Sequence, residues 1–327
     1  MKYNIDHELK KVTWLKTPEN IKIFPLMNIF LSLFKCNSDD HVRVSRYRTP
    51  GYQGAELKTL VIEPRRSEGN LPCVVFFHGG GFMLKASYVH DQMAKMYAEG
   101  LPCKVVYTDY RLSPKFQFPV PVEDCYQTYR WVLDNTAMLH VNSDQIAMAG
   151  DSAGGNLALA VTLMARDRGV RLPNAELLIY PATDRRMITD TMKRYTDTPV
   201  WNARLSKLMW KAYLGDQPLE KIEYASPIEA ESWKGFPPTY IEVAEYDALR
   251  DEGIALHHKL QEQGIACEMH EIIGACHGFE TALQSRMLRE CMIRRIAWLK
   301  HTLKLDPGKE GQMEGATEKE EGGHGRI

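Results

Sequence analysis

The sequence predicts an α/β fold, a mainly parallel eight-stranded sheet with helices on both faces. Two observations carry this. Short apolar runs recur between longer stretches of helical period, and two of them, Leu71–Phe77 and residues 103–108, are almost unbroken, as strands buried on both faces must be. The other is IAMAGDSAGGN at 146–156, which reads as a strand, a tight turn and a helix, with Ser152 at the tip of the turn.

Length and composition set the bounds. With 327 residues, 44% apolar and 25% charged, the chain has material for a large core. A formal net charge of −1 leaves no electrostatic footprint for nucleic acid. Cysteines stand at 36, 73, 103, 125, 267, 276 and 291, an odd number with no CxxC pair and no Cys/His grouping at metal-ligand spacing. That pattern predicts free thiols, a cytoplasmic setting and no metal. An apolar run at 21–34 has the look of a secretory signal core. Lys22 and Pro25 interrupt it, however, and Lys35-Cys36-Asn37 follows where a small-x-small cleavage site would stand. The run is also too short to span a membrane. No stable membrane association is expected, and the run reads as a helix packed on the protein rather than an interfacial anchor.

Taken in order, residues 1–40 read as helical and amphipathic, punctuated by Pro18 and Pro25. From His41 the period drops to two: Val42, Val44 and Arg46 alternate, and a second strand at 57–62 follows the Pro50-Gly51 turn. The two buried strands come next, then a helix at 122–133, the strand and helix around Ser152, and a strand at 175–180. Here the alternation stops. Residues 184–223 are rich in Arg, Thr, Met and Trp, with a helical patch at 205–214 and no strand signal. The rhythm resumes with a strand at 238–243, a helix at 250–263, a strand at 267–273 and a final helix at 279–303. Residues 306–327 are polar, glycine-rich and without aromatics, and read as a disordered tail. The expected organisation is an N-terminal cap segment at 1–40, a core at 41–183 and 224–305, and a cap insertion at 184–223. The two cap segments are placed to meet over one edge of the sheet.

In an open parallel sheet, reactive groups collect at the carboxyl ends of strands. The G-x-S-x-G spacing at 150–154 has a steric reason. A turn this sharp holds Ser152 in a strained backbone conformation, and side chains two residues either side would collide. The hydroxyl is then exposed, with the first amides of a helix beside it. A plain Gly/Ser connection or a phosphate-binding turn would share the pattern. After Leu71–Phe77 comes His78-Gly79-Gly80-Gly81-Phe82, whose glycines let backbone amides turn inward, as an oxyanion hole requires. A glycine hinge is the alternative. After the strand at 238–243 comes EYDALRDEG at 245–253, and after 267–273 comes GACHGF. Asp247 or Asp251 could cap the helix between them, and His277 alone could be an ordinary loop histidine. Together the order Ser…Asp…His at strand ends is that of α/β-hydrolase triads. His90 and His140 have no evident partner.

These residues also carry a family likeness. HGGGF at 78–82, Asp109-Tyr110-Arg111-Leu112-Ser113-Pro114 with Phe118-Pro119 and Glu123-Asp124, GDSAGG at 150–155, EYDALRDEG and HGF at 277–279 stand in one order. In these the chain resembles the bacterial hormone-sensitive-lipase-like esterases, family IV, from about residue 55 to 300. The resemblance implies an α/β-hydrolase core, a helical cap built partly from the N-terminus, no cofactor, and hydrolysis of carboxylic esters. Position by position it implies Ser152 as nucleophile, His277 as base and Asp247 as its orienter. Gly80, Gly81 and Ala153 would supply oxyanion amides, and His78 and Gly79 would shape that loop. The family usually has an acidic residue where Lys115 stands and a small aliphatic one at Cys276, which touches loop packing and not the triad. The partner implied is a small-molecule ester, and a homodimer is left open. An amidase, a deacetylase of decorated sugars and a non-catalytic binder that kept the fold remain as alternatives.

The cap sets the expected substrate size. Residues Trp14, Ile21, Ile23, Phe24, Leu26, Ile29, Phe30, Leu31, Leu33 and Phe34 are more apolar bulk than a surface helix leaves in water. Each side chain contributes about 1.5–3 kcal/mol when fully buried, so the segment is expected to dock over Ser152. A pocket closed in this way, with Phe82 narrowing its mouth, predicts short acyl esters as substrates.

Overall fold

The computed structural model describes residues 2–216, 218 and 220–305; the tail expected at 306–327 lies outside the described residues. The strands are β1 (Val42–Pro50), β2 (Glu56–Pro64), β3 (Leu71–Phe77), β4 (Lys104–Thr108), β5 (Val141–Asp151), β6 (Ala175–Ile179), β7 (Thr239–Tyr246) and β8 (Cys267–Cys276). They form one sheet in the order β1-β2-β4-β3-β5-β6-β7-β8. The β1–β2 and β2–β4 pairs are antiparallel and the remaining pairs parallel. Burial follows the sequence pattern. All seven residues of β3 are buried, whereas β1, at the edge, alternates.

The helices are α1 (Phe24–Leu31), α2 (Tyr88–Gly100), α3 (Val120–Asp134), α4 (Thr136–Leu139), α5 (Ala153–Asp167), α6 (Asp190–Arg194), α7 (Ala203–Leu214), α8 (Arg250–Glu262) and α9 (Arg286–Thr302). Alternate residues of β3 feed two apolar layers. Cys73, Val75 and Phe77 pack with α3, α5 and α8, and Val74 and Phe76 pack with α2 and α9.

Three elements depart from the expected string. Residues 88–100, to which the sequence assigned no element, form α2, which buries Met93, Ala94, Tyr97 and Ala98 on one face. The final helix is not continuous from 279. A 3₁₀ turn at Phe279–Thr281 precedes α9, whose start is fixed where the Ser285 hydroxyl accepts from the Leu288 N–H (3.1 Å). Residues 2–40 form 3₁₀ turns and the short α1, with Pro25 in its first turn.

The first turns of the chain run under the second layer. Ile5, Leu9 and Val12 are buried there, and Asp6 N–H donates to the Gly274 carbonyl (2.9 Å). The chain then meets the other irregular segment. Lys2 pairs with Asp197 (2.8 Å), and Val200 N–H donates to the Leu15 carbonyl (2.9 Å). The expected burial of the N-terminal apolar residues is corrected. Phe24 is buried and Ile21 and Leu31 are half-buried, but Trp14, Ile23, Leu26, Ile29, Phe30, Leu33 and Phe34 are exposed. Helix α1 docks by one face only, because residues 184–216 pack on the core themselves and offer its other face no partner.

Candidate active site

The turn between β5 and α5 holds Ser152 at φ 55°, ψ −121°, a left-handed conformation costly for any residue with a side chain. Glycine is required on both sides. A Cβ at Gly150 would meet the Gly154 carbonyl, and one at Gly154 would meet the Phe77 carbonyl at the end of β3. The same close approach brings the start of α5 against the His78-Gly79 backbone.

The ends of β7 and β8 supply the other groups. His277 Nε2 lies 3.0 Å from the Ser152 hydroxyl, and His277 Nδ1 lies 2.7 Å from Asp247 Oδ2. All three residues are buried. The second carboxylate oxygen of Asp247 accepts from Leu249 N–H (3.0 Å), which fixes the plane of the carboxylate. Burial lowers the pKa of His277, but the adjacent Asp247 carboxylate outweighs this and holds it above its ordinary value. Asp251 is elsewhere. It accepts from Thr191 N–H (3.0 Å) and pairs with Arg250.

The loop after β3 lies alongside. Gly80 (φ 109°) and Gly81 (φ 61°) occupy backbone conformations that glycine tolerates, and a Cβ at Gly81 would strike the ring of Trp201. Among the described residues, no hydrogen-bond acceptor satisfies the amides of Gly80, Gly81 or Ala153. Phe82 is fully buried, stacked on Tyr213 of α7 (centroids 3.8 Å apart). Two residues ahead of α7 lie against the site: Trp201, with its ring centroid 6.2 Å from that of His277, and Val200, which packs against Gly278.

Residues 74–281 match the family described as the alpha/beta hydrolase fold. The chain is an α/β-hydrolase. It is 33% identical over 263 residues to the carboxylesterase NlhH of Mycobacterium tuberculosis, covering 78% of this chain and 82% of that one. It is 37% identical over 131 residues to the hormone-sensitive lipase of Ictidomys tridecemlineatus, covering 40% of this chain and 17% of that one. Its fold superposes on an esterase of Pyrobaculum calidifontis with a TM-score of 0.81 at 33% identity, covering 91% of this chain and 98% of that one. Within the α/β-hydrolases the chain belongs to the hormone-sensitive-lipase-like family.

The remaining motif residues of this α/β-hydrolase hold the site together. Tyr110 stacks on His78 (4.4 Å) and donates its hydroxyl to the His78 carbonyl (2.8 Å). Burial pushes His78 down to about 4, so its imidazole is neutral. Arg111 grips Asp124 with two bonds of 2.8 Å. The two departures from the family pattern lie outside the Ser152–His277–Asp247 hydrogen bonds. Lys115 is exposed, with its ammonium over the Phe116 ring, and the buried Cys276 thiol is pushed up to about 12 by burial.

Two supports were not legible in the chain. Asp151, beside the serine, accepts from Gly79 N–H (3.0 Å) and faces His90 Nε2 (3.3 Å). His90 Nδ1 in turn accepts from Ser87 N–H (2.9 Å), so its proton is on the nitrogen facing Asp151. This brace runs from the start of α2 to the glycine loop. The other lies behind the histidine. Tyr180 packs its ring 4.4 Å from that of His277 and donates its hydroxyl to Glu280, which Arg295 also holds (2.8 Å). Arg295 is fully buried between Glu280 and Glu242. Tyr180 and Glu280 stand 100 residues apart, so their contact leaves no local signal. Among the described residues, no group of three or more His, Cys, Asp or Glu side chains is arranged to hold a metal.

Proposed function

We propose that the chain is a serine carboxylesterase acting on short-acyl esters, with Ser152 as nucleophile, His277 as base and Asp247 as its orienter. One observation carries this: an unbroken hydrogen-bonded chain from Ser152 through His277 to Asp247, beside three unpaired amides. In this reading His277 takes the serine proton as Ser152 attacks the ester carbonyl, then returns it to the leaving alcohol. Gly80, Gly81 and Ala153 meet the oxyanion, each donor worth about 3–4 kcal/mol in the transition state. Water, deprotonated by the same histidine, then releases the acid and regenerates the serine. The esterase names carried by relatives spanning most of the chain agree with this chemistry.

The chain-length preference follows from what covers the serine. Residues 184–223 act as the cap in this reading, with Trp201 beside the His277 ring bounding the acyl space, while Phe82 does not narrow the mouth as expected but is buried in a rigid stack with Tyr213 and Trp210. Each methylene that fits adds about 0.8 kcal/mol of binding, and further ones add none once the pocket is full. A nitrophenyl ester series is therefore expected to give its highest kcat/KM at roughly two to eight acyl carbons. Trp201→Ala is expected to move that maximum to longer chains. A maximum at the longest chains in the intact protein would overturn the reading.

A further inference from the structure

Helix α1 has two faces of opposite character. One holds the protein: Phe24 is 2% exposed, and the Asn28 amide donates to the Met83 carbonyl (2.8 Å) while accepting from Lys85 N–H (2.8 Å). The helix is thereby tied to the segment that follows the glycine loop. The other face carries Ile23, Leu26, Ile29 and Phe30, continued by Leu33 and Phe34 in the turn beyond. This is a stripe at helical spacing that none of the described residues covers. Leu26 is 70% exposed and Leu33 71% exposed, and nearby in sequence Trp14 is 77% exposed. Single exposed apolar residues are ordinary, but a contiguous stripe marks a docking surface.

Charge says what docks. The chain carries a net −1, yet residues 10–35 hold five lysines, all exposed (Lys10, Lys11, Lys16, Lys22, Lys35), and one carboxylate. That carboxylate, Glu19, faces Arg204 (3.5 Å) rather than any of them. Past the C-terminal end of α1 opens a cleft of about 460 Å³, lined in part by Phe34, Lys35, Arg46, Arg48, Lys58 and Lys85. Of the two carboxylates that also line it, Asp109 is paired with Lys85 (3.6 Å) and Asp91 is buried. A second copy of the chain is a poor occupant, since a symmetric contact would bring both sets of lysines together.

We propose that this face docks reversibly on an anionic phospholipid surface, the stripe entering the acyl region and the basic cleft taking a headgroup phosphate. An aromatic and aliphatic face flanked by lysines suits that boundary. No helix among the described residues is long and apolar enough to cross a membrane, so the contact is peripheral. The surface adjoins the oxyanion loop through Asn28, which places the esterase site next to the lipid.

The test is co-sedimentation of the full chain with vesicles of phosphatidylcholine alone, or with about one-third phosphatidylglycerol. Binding is expected to the anionic vesicles, to be weak to the neutral ones, and to be lost at about 0.5 M salt. The combined variant Leu26→Ser, Ile29→Ser, Phe30→Ser and Leu33→Ser alters exposed positions only. It is expected to cut bound protein roughly tenfold while leaving hydrolysis of a soluble ester unchanged. Binding is read without reference to turnover, so its failure is separable from failure of the esterase assignment. Absence of binding, equal binding to both vesicles, or binding that survives the variant overturns the proposal. A lipid-free dimer abolished by the same variant overturns it in favour of a second copy.

Discussion

Replacing Ser152 by alanine is expected to lower kcat by roughly 10⁶-fold while leaving the protein folded. The residue holds φ 55° in the wild-type turn. Alanine has the same Cβ and meets the same backbone strain, so the elbow persists and only the oxygen is lost. What remains is the contribution of the free amides and the pocket, roughly 10³–10⁴ over water. An organophosphate should label Ser152, located by peptide mass spectrometry, and should fail to label the variant. Labelling at another residue, or near-normal turnover in Ser152→Ala, would reassign the nucleophile.

Asp247→Asn is expected to cost roughly 10⁴ in kcat. The geometry gives the reason. Leu249 N–H donates to Asp247 Oδ1 and will keep an oxygen there, which turns the new amide NH₂ towards His277 Nδ1. The ring must then present a lone pair at Nδ1 and a proton at Nε2, facing a serine hydroxyl that needs an acceptor. The pH profile moves as well. In the proposed mechanism the working base is neutral His277, so kcat/KM is expected to be full above its pKa and to fall as pH drops through it. That pKa stands above the ordinary value because the Asp247 carboxylate outweighs burial. Removing the carboxylate leaves burial to dominate, so the acid limb of the remaining activity is expected at lower pH. A mild Asp247→Asn effect alongside a severe Asp251→Asn effect would exchange their roles. The structure places Asp251 against Thr191 and Arg250, where its loss is expected to be structural.

The sequence by itself determined the sheet and the local geometry of the site. Period-two and all-apolar runs name the strands because a pleated chain has few ways to bury such patterns, and Gly150 and Gly154 mark an elbow because only glycine clears the backbone there. The placement of Ser152, Asp247 and His277 after β5, β7 and β8 was legible for the same reason: strand ends in a parallel sheet lie on one edge. Tertiary structure decided what depends on partners distant in the chain. His90 reaches Asp151 and Tyr180 reaches Glu280 only because α2 and the turn at Phe279–Thr281 are packed on the same sheet. Neither residue has a sequence neighbour that signals the contact. The apolar face of α1 is the clearest case. Its composition forecast burial, but burial needs a facing surface, and residues 184–216 had already packed on the core without leaving one. Apolar periodicity states that a face wants cover; which body supplies the cover is settled only by how the rest of the chain is placed.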